Sequence, residues 1–393
     1  MKKIIWLVST VMFASCGEIM CECLVPLPEH DVSVYQLSPD KSGVFPGDDF
    51  NIGYRVWQTS YVPKGETAER TINVNVWYPT NDAEGDEAEF LDGVPNTNRD
   101  PESFQDAEPA IPLDGYQYPV LVFSHGHIGW GGNGTYIARY FARRGWLVVA
   151  PDHIGNTILT NLDPREAGIY LHRAQDLSAS LDALGDLPQE DSLYGLAYTD
   201  AVMAMGHSFG SYSMWSIAGA AYDVSSTTAE CINAPEPDCT DAQRAALLAG
   251  LRDARVQVMA TTGGGNSRNW FGPEGEQAVT IPVLVMHGSL DGEDSALEWP
   301  KVRTIGAPTH FAQFEGGCHH TFEYSPLNPT CAYDDETPGL RGDKGWDLVN
   351  TVVMSMAQRY LLGSQDTTVR DILNGKIEFS PLVAVEAGDN VAE

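Results

Sequence analysis

Short apolar runs alternate with longer segments of helical period along most of the chain. The apolar runs lie at 119–123, 201–205, 256–261 and 282–288. Runs of this length with few polar residues predict strands that are buried on both faces of a sheet. Between them, residues 169–184 place apolar side chains on one helical face. Strands that alternate with helices predict an α/β fold, with a mostly parallel central sheet and helices on both faces.

The extent of the alternating strand and helix segments predicts where the folded domain begins and ends. It predicts one folded domain over 50–376 and a C-terminal tail at 377–393. Residues 72–78 alternate between apolar and polar and predict an early antiparallel edge strand, whereas 345–362 predict the final helix. The segment at about 222–255 predicts a small cap-like insertion. An apolar content of 43% is sufficient for a large core.

The N-terminus has the pattern of an export signal. A basic start precedes an apolar stretch at 4–14, which is too short to span a bilayer and is typical of a secretory signal peptide. Residues 13–16 resemble a bacterial lipobox, so 1–16 are predicted to be a signal peptide and Cys16 a lipidation site that tethers the protein to a membrane. A plain signal peptide is the alternative. Residues 17–49 lack a clear period and predict a flexible tether.

The charge of the chain narrows its possible partners. The formal net charge is −31. A phosphate backbone would be repelled rather than neutralised, which argues against nucleic-acid binding. The same acid excess disfavours strongly anionic ligands, whereas a neutral small molecule or polymer is indifferent to it.

Residues 206–210 form the most informative motif, with the sequence Gly-His-Ser-Phe-Gly. They follow one of the apolar runs and precede a helical segment at 211–221. This context is typical of a nucleophile elbow, in which a serine occupies a sharp strand-to-helix turn. Glycines two places before and after the serine let the backbone and the helix approach without a Cβ clash. The motif therefore predicts Ser208 as a nucleophile.

A nucleophilic serine needs a base and an acid, which in this topology follow it in the order acid, then histidine. Asp291 comes just after the last of the apolar runs, and His319 lies in a Gly-rich loop further on. An imidazole, with a pKa near roughly 6.5, can take the serine proton, while the carboxylate fixes its tautomer. The alternatives that the sequence leaves open are His320 for the base and Glu293 and Asp294 for the acid.

Attack on an ester carbonyl places negative charge on its oxygen, which backbone N–H groups stabilise. The N–H of Phe209, directly after the nucleophile, is the first expected donor. The second is expected from a loop after an earlier strand, and the N–H of His127 is the predicted one. The side chains of His125 and His127 are expected to stabilise this loop rather than to act in catalysis or to bind a metal.

Short blocks spread over most of the chain carry a family resemblance. They are NVWYP at 75–79, VFSHG at 122–126, APDH at 150–153, GNT at 155–157, RAQDL at 173–177 and GHSFG at 206–210. Together they resemble bacterial predicted dienelactone hydrolases related to platelet-activating-factor acetylhydrolase. The resemblance implies an α/β-hydrolase fold and a serine esterase activity that needs neither metal nor cofactor. It implies a triad of Ser208, Asp291 and His319. It also implies that the oxyanion amides belong to His127 and Phe209.

Two positions depart from the family pattern. Ser211 stands where the family usually has a second glycine, and His127 stands where it usually has an apolar residue. The enzymes that gave dienelactone hydrolases their name use a cysteine nucleophile, whereas this elbow carries serine, so their substrate is not carried over.

The cysteines fit an exported chain. Cys231 and Cys239 bracket a Pro-rich loop after the elbow helix, and Cys318 and Cys331 bracket the segment around the predicted base. Both spacings predict local disulfides, each of which stabilises by roughly 2 to 4 kcal/mol. Neither spacing matches a zinc pattern, so no metal is expected.

Three aromatic residues in loops near the predicted active edge are candidates for the acyl pocket. They are Trp130, Trp270 and Phe271. No wide apolar lid is evident, which favours short-acyl or accessible esters. The sequence thus predicts an exported serine carboxylic ester hydrolase with small-molecule or polymer-bound substrates. An extracellular polyester hydrolase, favoured by exposed tryptophans, and a non-catalytic cell-surface binding module on the same fold are the alternatives.

Overall fold

The structure is a computed structural model. It describes residues 50–91, 99–112, 117–161, 165–232, 239–264, 269–292, 294–324, 340 and 342–391. The predicted signal peptide, the tether and Cys16 lie outside these residues. Within the described ranges, no helix combines the length and the hydropathy needed to cross a bilayer.

The described strands and helices alternate as the apolar pattern predicts. The strands are β1 (Asn51–Tyr61), β2 (Arg70–Thr80), β3 (Glu87–Glu89), β4 (Arg99–Gln105), β5 (Tyr118–Ser124), β6 (Leu147–Pro151), β7 (Ala197–His207), β8 (Val256–Thr262), β9 (Val283–Gly288), β10 (Thr309–Phe314) and β11 (Val383–Ala387). The helices are α1 (Thr135–Ala142), α2 (Gly168–Gly185), α3 (Phe209–Ala218), α4 (Val224–Ile232), α5 (Asp241–Leu248), α6 (Asp294–Val302), α7 (Gly342–Met356) and α8 (Thr367–Leu373). Single 3-10 turns lie at Gly131–Gly134, Gly275–Ala278 and His319–Phe322, and a π-helical turn at Ala357–Leu361 extends α7.

All the described strands belong to one sheet, in the order β11-β10-β9-β8-β7-β5-β6-β2-β1-β4-β3. The central six, from β10 to β6, are mutually parallel. β2 joins this core antiparallel to β6, and β11 joins it antiparallel to β10. The prediction of an α/β-hydrolase fold with a mostly parallel central sheet is confirmed.

Alternating side chains of the central strands divide the core into two apolar layers. Val120 and Val122 of β5 face the layer that includes side chains of α2 and α3. Leu121 and Phe123 face the layer that includes side chains of α1, α7 and α8. Because both faces are covered by helices, the strand reads as a continuous apolar run in the sequence.

Residues 72–78 lie in an antiparallel strand, as predicted, but the prediction that this strand lies at the edge of the sheet was wrong. These residues belong to β2, which lies between β1 and β6. β1 pairs with β2 along its whole length, from Asn51 opposite Thr80 to Tyr61 opposite Arg70. The reason is that β1, with several half-exposed side chains, covers the flank that the pattern left open.

The C-terminal segment also differs from its prediction. Residues 383–387, within the predicted tail 377–393, form β11 at the edge of the sheet. Backbone pairing with β10 needs no continuous apolar run, and only Val383 of this strand is buried. The helix predicted at 345–362 is also not the final helix, because α8 and then β11 follow it in the chain.

The predicted insertion at about 222–255 contains α4 and α5. It packs beside the sheet, against α2 and the turn between β1 and β2. Gln243 of α5 donates a hydrogen bond of 2.8 Å to Glu66 in that turn, and His172 of α2 lies 2.5 Å from the same carboxylate oxygen. These contacts fix the insertion to the body of the domain.

Candidate active site

The predicted nucleophile elbow is present between β7 and α3. Ser208 is partly exposed and has φ 55° and ψ −116°, a conformation that costs a non-glycine residue about 1–3 kcal/mol. A Cβ on Gly206 would lie under 3.0 Å from the carbonyl oxygen of Gly210. A Cβ on Gly210 would lie equally close to the carbonyl oxygen of Ser124. Only glycine fits at either position, and this close packing holds the serine in its strained turn.

Ser211, the departure from the family pattern, ties the elbow to the neighbouring strand. Its buried hydroxyl donates to the carbonyl oxygen of Thr262 at 2.9 Å and accepts from the N–H of the same residue at 3.2 Å. The N–H of Ser208 also donates to the Thr262 carbonyl oxygen, at 2.8 Å. The Ser211 hydroxyl therefore adds hydrogen bonds between α3 and β8.

Asp291 and His319 form a hydrogen-bonded pair at the same edge of the sheet. Asp291 follows β9 and His319 follows β10, so both lie beyond the carboxyl ends of parallel strands. The Nδ1 atom of His319 lies 2.7 Å from Oδ1 of Asp291. The aspartate side chain is 6% exposed and that of the histidine 36%. A ring that donates from Nδ1 keeps Nε2 as an acceptor, which is the tautomer that a general base needs.

His207 connects this pair to the elbow, because it precedes the serine in the chain. Its ring lies against that of His319, with centroids 4.7 Å apart, and its Nε2 donates to the His319 carbonyl oxygen at 3.0 Å. Burial lowers the pKa of His207 to about 4, so its ring is neutral at neutral pH. The structure thus brings the predicted serine, histidine and aspartate to one edge, and His207 is a buried neighbour of His319 that the sequence pattern did not identify.

His320, the alternative base, has a different partner. Its Nδ1 lies 2.6 Å from Oε1 of Glu323, which is one helical turn further on. Burial acts to raise the pKa of Glu323, but the hydrogen bond from His320 and the charges of nearby histidines lower it overall. Of the alternative acids, Glu293 lies outside the described residues, and the side chain of Asp294 is also not described.

The predicted oxyanion donors belong to two segments that adjoin Ser208. The N–H of Phe209 opens α3, where a helix has no acceptor of its own for that group. The loop after β5 passes directly beside the serine, since a Cβ on Gly126 would lie 3.2 Å from the Cβ of Ser208. His127, next in this loop, accepts a hydrogen bond of 2.6 Å at Nδ1 from the side-chain amide of Asn156. Its side chain therefore holds the loop, as the sequence predicted.

The aromatic residues predicted to line the pocket are instead buried in the core. Trp130 is 3% exposed, Trp270 0% and Phe271 1%. The ring of Trp270 packs 4.9 Å from that of Tyr170, and Phe271 stacks on Tyr212 at 5.5 Å. The prediction was wrong because position in a loop does not determine which way a side chain points.

One of the two predicted disulfides is described in full. Cys231 and Cys239 are joined, with Cα atoms 5.0 Å apart. Cys318 is disulfide-bonded, and Cys331, its predicted partner, lies outside the described residues. In the part of the chain that the structure describes, no group of three His, Cys, Asp or Glu side chains is placed to hold a metal ion.

A second Ser-His-Asp arrangement lies buried behind the elbow. Oγ of Ser124 lies 2.9 Å from Nε2 of His153, whose Nδ1 lies 2.9 Å from Oδ2 of Asp176. All three residues are 0% exposed. Burial lowers the pKa of His153 to about 3, with Arg173 acting in the same direction. Burial opposes ionisation of Asp176, yet Arg70 and His153 hold its pKa well below the usual range.

This buried network was not identified from the sequence as a unit. Its members lie in separate blocks, which the family resemblance marked without assigning them a role. The sequence does place several polar residues in blocks flanked by buried apolar residues. Buried polar side chains form hydrogen bonds, so this pattern could have predicted a buried hydrogen-bond network.

Comparisons with known proteins support the fold. A ferulic acid esterase from Streptomyces cinnamoneus is similar in structure, with a TM-score of 0.55 and 15% sequence identity over 84% of this chain and 96% of that chain. At this identity the likeness shows the fold alone. No family model matches the chain, and no curated protein matches it. The chain therefore has an α/β-hydrolase fold, whereas its resemblance to dienelactone hydrolases stays a prediction from short blocks.

Proposed function

We propose that this protein is a serine carboxylic ester hydrolase that acts through an acyl-enzyme intermediate. The observation that carries this function is the 2.7 Å hydrogen bond between His319 and Asp291, beside a serine held at positive φ at the same sheet edge. The fold it shares with a ferulic acid esterase at 15% identity is compatible with this chemistry.

In the proposed reaction, His319 takes the proton of Ser208 as Oγ attacks the ester carbonyl carbon. The carbonyl oxygen becomes an oxyanion, which accepts hydrogen bonds from the backbone N–H groups of Phe209 and His127. When the ester C–O bond breaks, the imidazolium returns its proton to the leaving alcohol. A water molecule, deprotonated by His319, then attacks the acyl carbon, the bond between that carbon and Oγ of Ser208 breaks, and the imidazolium returns its proton to Oγ as the acid is released. Asp291 stabilises the imidazolium in both steps.

Short-acyl or otherwise accessible esters are the proposed substrates. The polyester alternative relied on exposed tryptophans beside the cleft, and it loses this support because Trp130 and Trp270 are buried. A formal net charge of −31 further favours neutral substrates over anionic ones.

We also propose that the protein is exported and anchored to the cell envelope through Cys16. The disulfide between Cys231 and Cys239 supports this proposal, because disulfides persist in oxidising compartments. The charged-then-apolar order of residues 1–16 supports it independently.

Hydrolysis of a graded ester panel tests the function. The panel comprises p-nitrophenyl acetate, butyrate and octanoate, with methyl ferulate as the aromatic acyl arm suggested by the structural neighbour. We expect the two shortest esters to be turned over fastest, and Ser208→Ala to abolish turnover of all of them. Release of ferulate at a comparable rate would extend the substrate class to aromatic acyl groups. Wild-type rates no higher than those of Ser208→Ala on every ester would contradict the function and favour the binding-module alternative.

A further inference from the structure

We propose, on the basis of the function proposed above, that Arg173 is a positioning residue that holds both halves of the oxyanion hole in register. It lies on α2, away from the predicted triad in sequence, and none of its contacts is with a triad side chain in the described residues. Its planar side chain instead contacts the two segments that carry the predicted oxyanion amides.

On one side, Arg173 binds the loop after β5. Its Nη2 donates to the carbonyl oxygen of His125, two residues before the predicted donor, and to Oγ of Ser124 at 3.1 Å. Its Nη1 donates to Oδ1 of Asn156 at 2.8 Å, and the amide of that asparagine donates to Nδ1 of His127 at 2.6 Å. The loop that presents the His127 amide is therefore held at two points by one guanidinium.

On the other side, Arg173 contacts the elbow helix. The guanidinium carbon lies 4.5 Å from the centre of the Phe209 ring, within cation–π distance. Nε donates to Oγ of Ser213, one turn further along α3, at 3.1 Å. The guanidinium of Arg173 thus contacts both segments that carry the predicted oxyanion donors, Phe209 at the start of α3 and His127 in the loop after β5. The distance between the two donors therefore depends on the position of this side chain.

The chemistry of the group suits this role. A guanidinium presents five donors in a fixed fork, which a lysine ammonium cannot reproduce. Arg173 is 0% exposed, and burial lowers its pKa to about 9, with the charge of Asp176 acting in the opposite direction. It stays cationic at neutral pH. The buried carboxylate of Asp176 stabilises the positive charge of Arg173, and it is itself bonded to Arg70 and His153.

A misplaced oxyanion amide weakens transition-state binding more than substrate binding, and removal of one such donor costs about 10²–10³ in kcat in a serine hydrolase. We therefore expect Arg173→Lys, which keeps the charge but loses the fork, to lower kcat at least about tenfold with little change in KM. Asn156→Ala, which keeps the guanidinium and its bonds to the His125 carbonyl oxygen and to Ser213 but removes the bridge through Asn156 to His127, should lower kcat in the same sense by a smaller factor. Neither variant should change the shape of the pH profile of kcat/KM, because neither touches His319 or Asp291.

The experiment measures, for each variant, kcat and KM on p-nitrophenyl butyrate, the rate of labelling by a fluorophosphonate probe, and the final labelled fraction. Arg144→Lys is the matched control. Arg144 is also a buried arginine, 6% exposed, but it binds the carbonyl oxygen of Tyr140 before β6, at the opposite edge of the sheet. We expect slow labelling of Arg173→Lys and Asn156→Ala that still reaches the wild-type fraction, and fast labelling of Arg144→Lys.

The outcomes separate the two proposals. No labelling of the wild type would overturn the proposed function and this inference with it. Rapid labelling of the wild type together with unchanged kcat in both Arg173→Lys and Asn156→Ala would overturn the inference alone. If Arg173→Lys does not fold, Asn156→Ala decides: a fall in kcat with KM and the labelled fraction retained supports the inference, and wild-type kcat contradicts it.

Discussion

The molecule contains two His-Asp pairs near a serine, one buried and one at the open edge of the sheet, and the two pairs differ in access. In the buried one, Nδ1 of His153 lies 2.9 Å from Asp176. In the other, at the sheet edge, Nδ1 of His319 lies 2.7 Å from Asp291. The His153 side chain is 0% exposed, whereas that of His319 is 36% exposed.

The serines differ in backbone as well as in exposure. Ser124 is the last residue of a regular strand, fully buried, and its hydroxyl is engaged by His153 and Arg173. Ser208 occupies a strained turn at φ 55° and is partly exposed. The comparison teaches that a hydrogen-bonded trio does not by itself make a catalytic triad. A catalytic triad also needs access for the substrate and backbone amides aimed at the carbonyl oxygen. The buried arrangement of Ser124, His153 and Asp176 has no such access.

The largest expected effect contrasts the two serines. Ser208→Ala should lower kcat about a millionfold, because members of a catalytic triad act as a unit. Ser124→Ala should lower it by about tenfold or less, since it removes one hydrogen bond from a network that keeps the remaining contacts of Arg173. Steady-state kinetics on p-nitrophenyl butyrate, with the folded fraction checked by circular dichroism, measures both. A Ser124→Ala variant as inactive as Ser208→Ala, with both folded, would remove the distinction between the two sites.

The second contrast lies within the exposed site. His319→Ala should cost about as much as loss of the serine, because the base is then absent. His320→Ala is the matched control and should keep most of the activity, since its Nδ1 is bonded to Glu323 rather than to Asp291. The pair is compared by kcat on the same ester. An inactive His320→Ala beside an active His319→Ala would show that the base has been assigned to the wrong residue.

The two aspartates should fail in different ways. Asp291→Asn should lower kcat about 10⁴-fold with little change in stability, because the imidazole loses its orienting carboxylate. Asp176→Asn should instead destabilise the fold by about 3–5 kcal/mol, because Arg70, bonded to this carboxylate at 2.7 and 2.9 Å, is left with an uncompensated charge. Urea unfolding and kcat are measured for both variants. Equal loss of stability in the two would mean that Asp291 is also a structural anchor.

The last expected effect concerns the dependence of stability on pH. The pKa of buried His153 is lowered from 6.5 to about 3 in the folded state, so the unfolded chain binds the extra proton between these values. Its contribution to stability is complete above about pH 6.5 and is lost as the pH falls toward 3. His153→Gln should therefore flatten the dependence of the unfolding free energy on pH.

A distant histidine provides the positive control for that measurement. His310, bonded to the Leu373 carbonyl oxygen and to Tyr360, has a pKa that burial lowers to about 4. His310→Gln should flatten the same curve over a similar range, without changing either Ser-His-Asp arrangement. Urea unfolding at several pH values between 4 and 7 is the readout. A slope unaltered by His153→Gln but reduced by His310→Gln would contradict a neutral, buried His153.

Parts of the fold that impose a requirement on neighbouring residues could be predicted from the sequence. The central strands at 119–123 and 201–205 are covered on both faces, so they appear as uninterrupted apolar runs. The elbow was predictable because its glycines at 206 and 210 are required by local backbone geometry. The order of serine, aspartate and histidine followed from the topology of the sheet.

The remaining features depend on contacts between distant segments. β11 was missed because an edge strand is defined by backbone pairing, and the burial of Trp270 was missed because it depends on rings brought together by α2 and α3. The contacts of Arg173 join α2, α3 and the loop after β5. No local pattern carries information about such three-way contacts.

The most direct test of the central claim, that Ser208 is a nucleophile activated at the open edge of the sheet, is to map the adduct of a fluorophosphonate probe. The wild-type protein is reacted to completion, digested and analysed by tandem mass spectrometry, with Ser208→Ala treated in parallel. The account predicts one adduct per chain, on Ser208, and none in Ser208→Ala. An unreactive wild-type protein, or an adduct on any other residue that persists in Ser208→Ala, would contradict it.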